Sequence, residues 1–271
     1  MDKVERLYNQ KIIQSGERLE VYKYQSYQKD GGKSKNNKGR RGKVEVSCEQ
    51  KEMNSIQSRK QNLYKARNNI IRLISANNDL DIFITLTFAQ EPTIPESKKQ
   101  LDNFFKRLKR VYKDLKYLYV LEFGSRKGRL HYHCLMNIEI NKEIFYSKKK
   151  FKSIDHKAYE REFSKKYWKN GFVDIRNLGV EGNTNIALYV ATYLVEDLFN
   201  LNIEGSKCYG FSRNLNRPTV KKIISENKNY VISQEDYKLK FINSYDISYL
   251  DKRGQERKSK VVYSDYYKNK K

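Results

Sequence analysis

Residues 130–137 constrain this chain more than any other segment. Leu130, Tyr132, Cys134 and Met136 alternate with His131 and His133. Successive side chains of an extended strand point to opposite faces, so the first set lies on one side and both imidazoles on the other. A strand with one apolar side must pack that side against another layer. Residues 81–88 read the same way, with Ile82, Ile84, Leu86 and Phe88 on one face and Thr85 and Thr87 on the other. Residues 117–123 form a third apolar-rich strand. It is joined to the histidine strand by 124–129, a hairpin-like connection containing Gly124 and Gly128.

Helical periods fall around these strands. Leu63, Ala66, Ile70 and Leu73 give an apolar stripe over 58–75. After Pro92 and Pro95, the residues Leu101, Phe104, Phe105, Leu108, Val111, Tyr112 and Leu115 recur at three- and four-residue intervals, and Lys106, Arg107, Lys109, Arg110 and Lys113 fill the remainder. A further helix is expected over 155–167, a short strand over 172–176 and a largely apolar helix over 185–199. This order predicts an α+β chain with helices on one face of an antiparallel sheet. Residues 1–55 show no sustained period and include the Gly-, Lys- and Asn-rich stretch 30–43, so they read as a flexible basic arm. Residues 56–220 read as the folded domain. Beyond Gly205 the period weakens, and 221–271 read as a basic C-terminal extension.

Charge narrows the partners. Lys and Arg number 56 against 32 Asp and Glu, a formal net charge of +24, which favours polyanions through counterion release. The surplus is clustered in 28–43, 98–116 and the tail. Aromatic residues are interleaved with it, and bases of single strands stack on such rings. No apolar run approaches the roughly 20 residues of a membrane span, and the N-terminus carries charges rather than a signal-peptide core. Cys48, Cys134 and Cys208 have neither disulfide-framework nor zinc spacing, so a cytoplasmic location is expected. Gly32-Lys33-Ser34 resembles the end of a phosphate loop, but Tyr27 stands where that motif requires Gly. No nucleotide cofactor is expected.

His131 and His133 are two of three histidines; the third, His156, reads as a surface residue. If the hairpin pairs Glu122 with about residue 131, the carboxylate lands on the histidine face. Two imidazoles and a carboxylate form a donor set for a divalent ion, with positions left for a phosphate oxygen. As an ordinary surface group, Glu122 would instead pair with Lys127 or Arg129. Tyr189 and Tyr193, four residues apart, share one helical face. In a chain with 22 tyrosines, that spacing alone fits a core as readily as a site.

Three motifs occur in order over residues 80–220: Phe83-Ile84-Thr85-Leu86-Thr87-Phe88, then Glu122 ahead of Gly128-Arg129-Leu130-His131-Tyr132-His133, then Tyr189-Val190-Ala191-Thr192-Tyr193. Together they resemble the HUH endonucleases, specifically rolling-circle replication initiators of small phages and plasmids. Phe211-Ser212-Arg213-Asn214-Leu215-Asn216-Arg217-Pro218 is similar to the Ser-Arg-rich segment that often follows the tyrosine helix there. The resemblance implies the HUH fold, a central five-stranded antiparallel sheet of RRM-like form with flanking helices. It implies Mg²⁺ or Mn²⁺ held by His131, His133 and Glu122, and a nucleophile from Tyr189 or Tyr193.

The implied reaction nicks single-stranded, hairpin-associated origin DNA. It leaves a 5′-phosphotyrosine and a 3′-hydroxyl primer, and the ends are later rejoined without ATP. The implied partners are that DNA and the host helicase and polymerase, without a membrane. DNA contacts are expected from Thr85, Thr87, Arg129, Lys106, Lys109, Arg110 and Arg213. The chain departs from the common pattern where relatives often carry Lys three residues after the tyrosine; here those positions are Thr192 and Glu196. A relaxase or transposase would use the same residues, while charge and aromatics alone also fit a non-catalytic single-strand-binding protein.

Overall fold

The computed structural model describes residues 6–30, 47–123, 128–140, 152–178, 187, 190, 208–224, 235–250 and 255–269. In chain order the elements are β1 (Arg6–Ser15), β2 (Arg18–Asp30), α1 (Cys48–Ser75), β3 (Ile82–Phe88), α2 (Ile94–Val111), β4 (Tyr117–Phe123) and β5 (Leu130–Met136). They continue with α3 (Ile154–Phe163), a π-helical turn (Ser164–Trp168), β6 (Gly171–Asn177), β7 (Tyr209–Phe211), β8 (Thr219–Ile223), β9 (Tyr237–Leu250) and β10 (Glu256–Lys268). The chain divides into two compact units, one of residues 52–216 and one of 1–51 with 217–271. Each holds a five-stranded sheet, and the protein is α+β, as its element order predicts.

In the 52–216 unit the strand order is β6-β3-β5-β4-β7, every pairing antiparallel. One face carries Ile82, Ile84, Leu86, Leu130, Tyr132, Cys134, Met136 and Leu121, all buried against Leu101, Phe104, Phe105 and Leu108 of α2 and against Phe163 and Trp168. Fully burying a side chain of this size is worth about 1.5–3 kcal/mol over leaving it exposed. Helix α2 starts where it does because Thr93 and Glu96 form a capping box. The Thr93 hydroxyl accepts from the Glu96 N–H at 3.4 Å, and the Glu96 carboxylate accepts from the Thr93 N–H at 2.9 Å. The Tyr132 hydroxyl, buried in this layer, meets Ser97 Oγ at 2.8 Å, and burial pushes its pKa up to about 12.

Helices on one face only were expected, and the opposite face corrects this. Ile70, Ile71, Leu73 and Ile74 of α1 pack there with Ala187, Val190 and Leu215 against Phe83, Leu118, Val120 and Leu135. The cause is a gradient along the strands. The cross-strand row Phe83–Leu135–Leu118 is apolar, Thr85–His133–Val120 is mixed, and Thr87–His131–Glu122 is polar. A covering layer is therefore favoured over one end of this face and not over the other.

Strand β6 is an edge. Its exposed backbone is capped from α3: Glu160 Oε1 accepts from the Ile175 N–H at 2.7 Å, and His156 Nε2 meets the Ile175 carbonyl at 3.0 Å. His156, expected on the surface, is buried by this task.

In the other unit the strand order is β8-β1-β2-β10-β9. Residues 6–30 are thus a hairpin rather than an arm, and β8, β9 and β10 from beyond residue 217 complete the sheet around it. Ile12, Leu19 and Val21 pack with Ile223, Tyr237 and Tyr266. Most of the basic stretch 30–43 lies outside the described residues. No described helix is long and apolar enough to cross a membrane.

Candidate active site

The polar end of the second face of the 52–216 unit gathers the residues singled out from the sequence. Strand register sets Glu122 directly opposite His131 on one side and Thr87 opposite it on the other, while Thr85 stands opposite His133. Thr85 Oγ1 lies 3.1 Å from His133 Nδ1, and Thr87 Oγ1 lies 3.1 Å from His131 Nδ1. Each imidazole is thus fixed through one nitrogen by a threonine of β3. When Nδ1–H donates to the threonine oxygen, Nε2 keeps its lone pair. Thr85 and Thr87, expected to contact DNA, act here on the histidines.

The rest of the cluster tightens around His133. Its Nε2 contacts the Glu122 carboxylate. Its ring stacks on Phe83 at 5.4 Å between centroids and 13° between planes. It is 7% exposed, whereas His131 is half-buried nearer the open end. Burial, reinforced by His133, holds the His131 pKa below its ordinary value, with Glu122 and Glu91 pulling the other way. Glu91 was not anticipated; its carboxylate also accepts from the Leu130 N–H at 2.9 Å, anchoring the start of the histidine strand.

Two imidazole nitrogens and a carboxylate oxygen on one face suit a divalent cation chemically. The threonine contacts supply the outer support that metal-bound imidazoles require. As the side chains stand, no three His, Cys, Asp or Glu groups among the described residues close into a metal-binding set.

The remaining expected residues are dispersed. Tyr189 and Tyr193 lie outside the described residues. Their neighbours Ala187 and Val190 are helical and buried, and both belong to the layer packed on the histidine face. Lys106, Lys109 and Arg110 are exposed on α2, which covers the other face of the sheet. Arg129 is exposed immediately before β5. Arg213 follows the pairing of Ser212 with Tyr117, at the far end of β4 from Glu122. Five residues at about 3.3 Å each separate those ends. The threonine contacts escaped sequence reasoning because two β-branched residues on a strand are unremarkable by themselves.

Residues 81–198, less than half of the chain, match the family model of the ORF2-type replication-associated proteins. Neither the comparison with curated proteins nor that with solved structures gives a match.

Proposed function

We propose that this protein initiates DNA replication by nicking single-stranded origin DNA through a tyrosine, with His131, His133 and Glu122 holding a divalent metal in an HUH-type centre. One observation carries the reading. In the segment similar to replication-associated proteins, two threonines each orient one histidine on the face where Glu122 also stands. Structural histidines rarely need a matched pair of such supports.

The chain's own residues divide the work. Thr85 and Thr87 keep both imidazoles in one tautomer and orientation. Glu122 adds negative charge beside His133 and so raises the affinity of this face for a cation. A bound Mg²⁺ or Mn²⁺ would polarise the scissile phosphate and stabilise the charge added in the transition state. The attacking phenolic oxygen of Tyr189 or Tyr193 forms a bond to phosphorus as the 3′ oxygen leaves. The products are a 5′-phosphotyrosine and a 3′-hydroxyl that takes up a proton. Val190 belongs to the layer on the histidine face, and Tyr189 is the residue before it, which supports this assignment. The phosphodiester bond energy is retained in the covalent link, so rejoining needs no nucleotide.

Incubation with a single-stranded oligonucleotide carrying the origin, plus Mn²⁺, should give a protein–DNA adduct that survives denaturation. Tyr189→Phe combined with Tyr193→Phe should abolish it. An adduct from the double variant sinks the nucleophile assignment. A wild-type protein that binds the strand yet never forms the adduct favours the non-catalytic single-strand-binding alternative.

A further inference from the structure

Phe172 stands apart on the histidine face. It is 69% exposed, the only exposed large apolar side chain among the described sheet residues of its unit. It belongs to the row Phe172–Thr87–His131–Glu122 across β6, β3, β5 and β4. Two strand spacings, about 10 Å, separate it from His131. Its companions on this face of β6, Asp174 and Arg176, are charged and paired at 2.9 Å.

Single exposed apolar residues are ordinary on protein surfaces, but the backbone beneath this one is not. The π-helical turn ends on Lys169 in the left-handed region, φ 68°, and Gly171 has φ 155°. A Cβ on Gly171 would stand 2.2 Å from the Thr87 carbonyl oxygen and 2.5 Å from the Ala89 nitrogen. Three bonds clamp the connection: Ser164 Oγ donates to the Gly171 carbonyl at 2.5 Å, Ala89 N–H to the Asn170 carbonyl at 2.8 Å, and Trp168 Nε1–H to the Thr87 carbonyl at 3.0 Å. Rare backbone states persist where surrounding structure over-determines them, and π-turns recur at functional sites. Here they hold an aromatic ring rigid in solvent. Lys169 and Arg129, both exposed, precede β6 and β5 at the same end of the sheet and favour a phosphate backbone there.

We propose that Phe172 is a stacking platform for a base of the bound DNA strand, beside the phosphate held at the histidine pair. This rests on the reading of that face as the DNA site. An aromatic face accepts any base and is worth most when it is already ordered.

The test is binding of a fluorescein-labelled, mixed-sequence single-stranded DNA in EDTA, where nicking does not intervene. Phe172→Ala and Phe172→Leu should each weaken affinity about five-fold or more. Phe172→Trp should keep wild-type affinity, with its emission quenched by the strand; the native Trp168 is buried and contributes no such signal. On a strand of the same length lacking its bases, wild type and Phe172→Ala should bind alike. Wild-type affinity in Phe172→Ala, or the same loss on the base-free strand, overturns the proposal. Because no cleavage is measured, failure of adduct formation would remove the nicking reading and leave this result standing. Normal adduct formation with unchanged binding by Phe172→Ala would remove the stacking role alone. Unfolding midpoints equal to wild type confirm that the variants are folded.

Discussion

Thr87 does two jobs at once. Its carbonyl accepts from the Trp168 indole, and its hydroxyl holds His131. The buried Trp168 thereby fixes the backbone from which the histidine support projects. Removing such an outer partner typically costs about 10–100-fold in metal affinity or activity. Thr87→Val and Thr85→Val should accordingly lower the nicking rate by that factor while leaving single-strand affinity in EDTA unchanged, and Ser at either position should restore most of the rate. Equal loss of rate and binding would mean the threonines only shape the sheet. The mixed nitrogen and oxygen donors also predict that Mn²⁺ supports nicking at lower concentration than Mg²⁺, whose preference is for oxygen alone; a metal titration of adduct yield reads this directly. Pairing of Glu122 with His131 is legible from the sequence, since a short connection and a period of two leave few registers. Contact of the carboxylate with His133 is not legible. It depends on which diagonal a flexible side chain takes once Phe83 stacks under the second imidazole.

At the scale of elements, β3, β5 and α2 were readable because each carries its own amphipathic pattern within a few residues of sequence. The capped edge of β6 was not, since neither Glu160 nor His156 is near Ile175 in sequence. Glu160 accepts at 2.7 Å from the Ile175 N–H and at 2.6 Å from Lys152 Nζ. Lys152 in turn reaches Asp174 at 2.7 Å. Replacing Glu160 by Ala strands a buried N–H, which should cost about 1–3 kcal/mol in urea unfolding followed by Trp168 fluorescence. The network also fixes the sign of one pH effect. Burial disfavours the Asp174 carboxylate, but hydrogen bonds from Lys152 and Arg176 more than offset it and hold its pKa below the ordinary 3.8. A carboxyl with a depressed folded pKa contributes stability above its unfolded value and loses it as pH falls through the folded one. Asp174→Asn should therefore lower stability at neutral pH and match wild type once the pH is well below 3.8. A constant difference at every pH would show that the carboxylate charge is not what matters.

For the whole molecule, the first and last parts of the chain are one sheet, and residues 52–216 are inserted between them. That arrangement hid β1, β2, β9 and β10 from sequence reading. Their polar, tyrosine-rich strands have few local cues, and β2 finds its partner β10 far along the chain, as in the pairing of Tyr22 with Tyr263. The tie between the ends is specific. Arg18 donates from Nε to Asp265 Oδ1 and from its terminal nitrogen to Oδ2, both at 2.9 Å, with side chains 11% and 14% exposed. Hydrogen bonds to a charged partner contribute about 1.5–3 kcal/mol, so Asp265→Asn should destabilise the terminal sheet by about that amount. The only tryptophan, Trp168, lies in the inserted unit, so its fluorescence follows that unit alone, whereas the tyrosine-rich terminal sheet dominates changes in tyrosine absorbance. Asp265→Asn should shift the urea midpoint seen by tyrosine and leave the tryptophan midpoint in place. A parallel shift of both would mean that the two units unfold as one, and that the chain's ends stabilise the histidine face as well as each other.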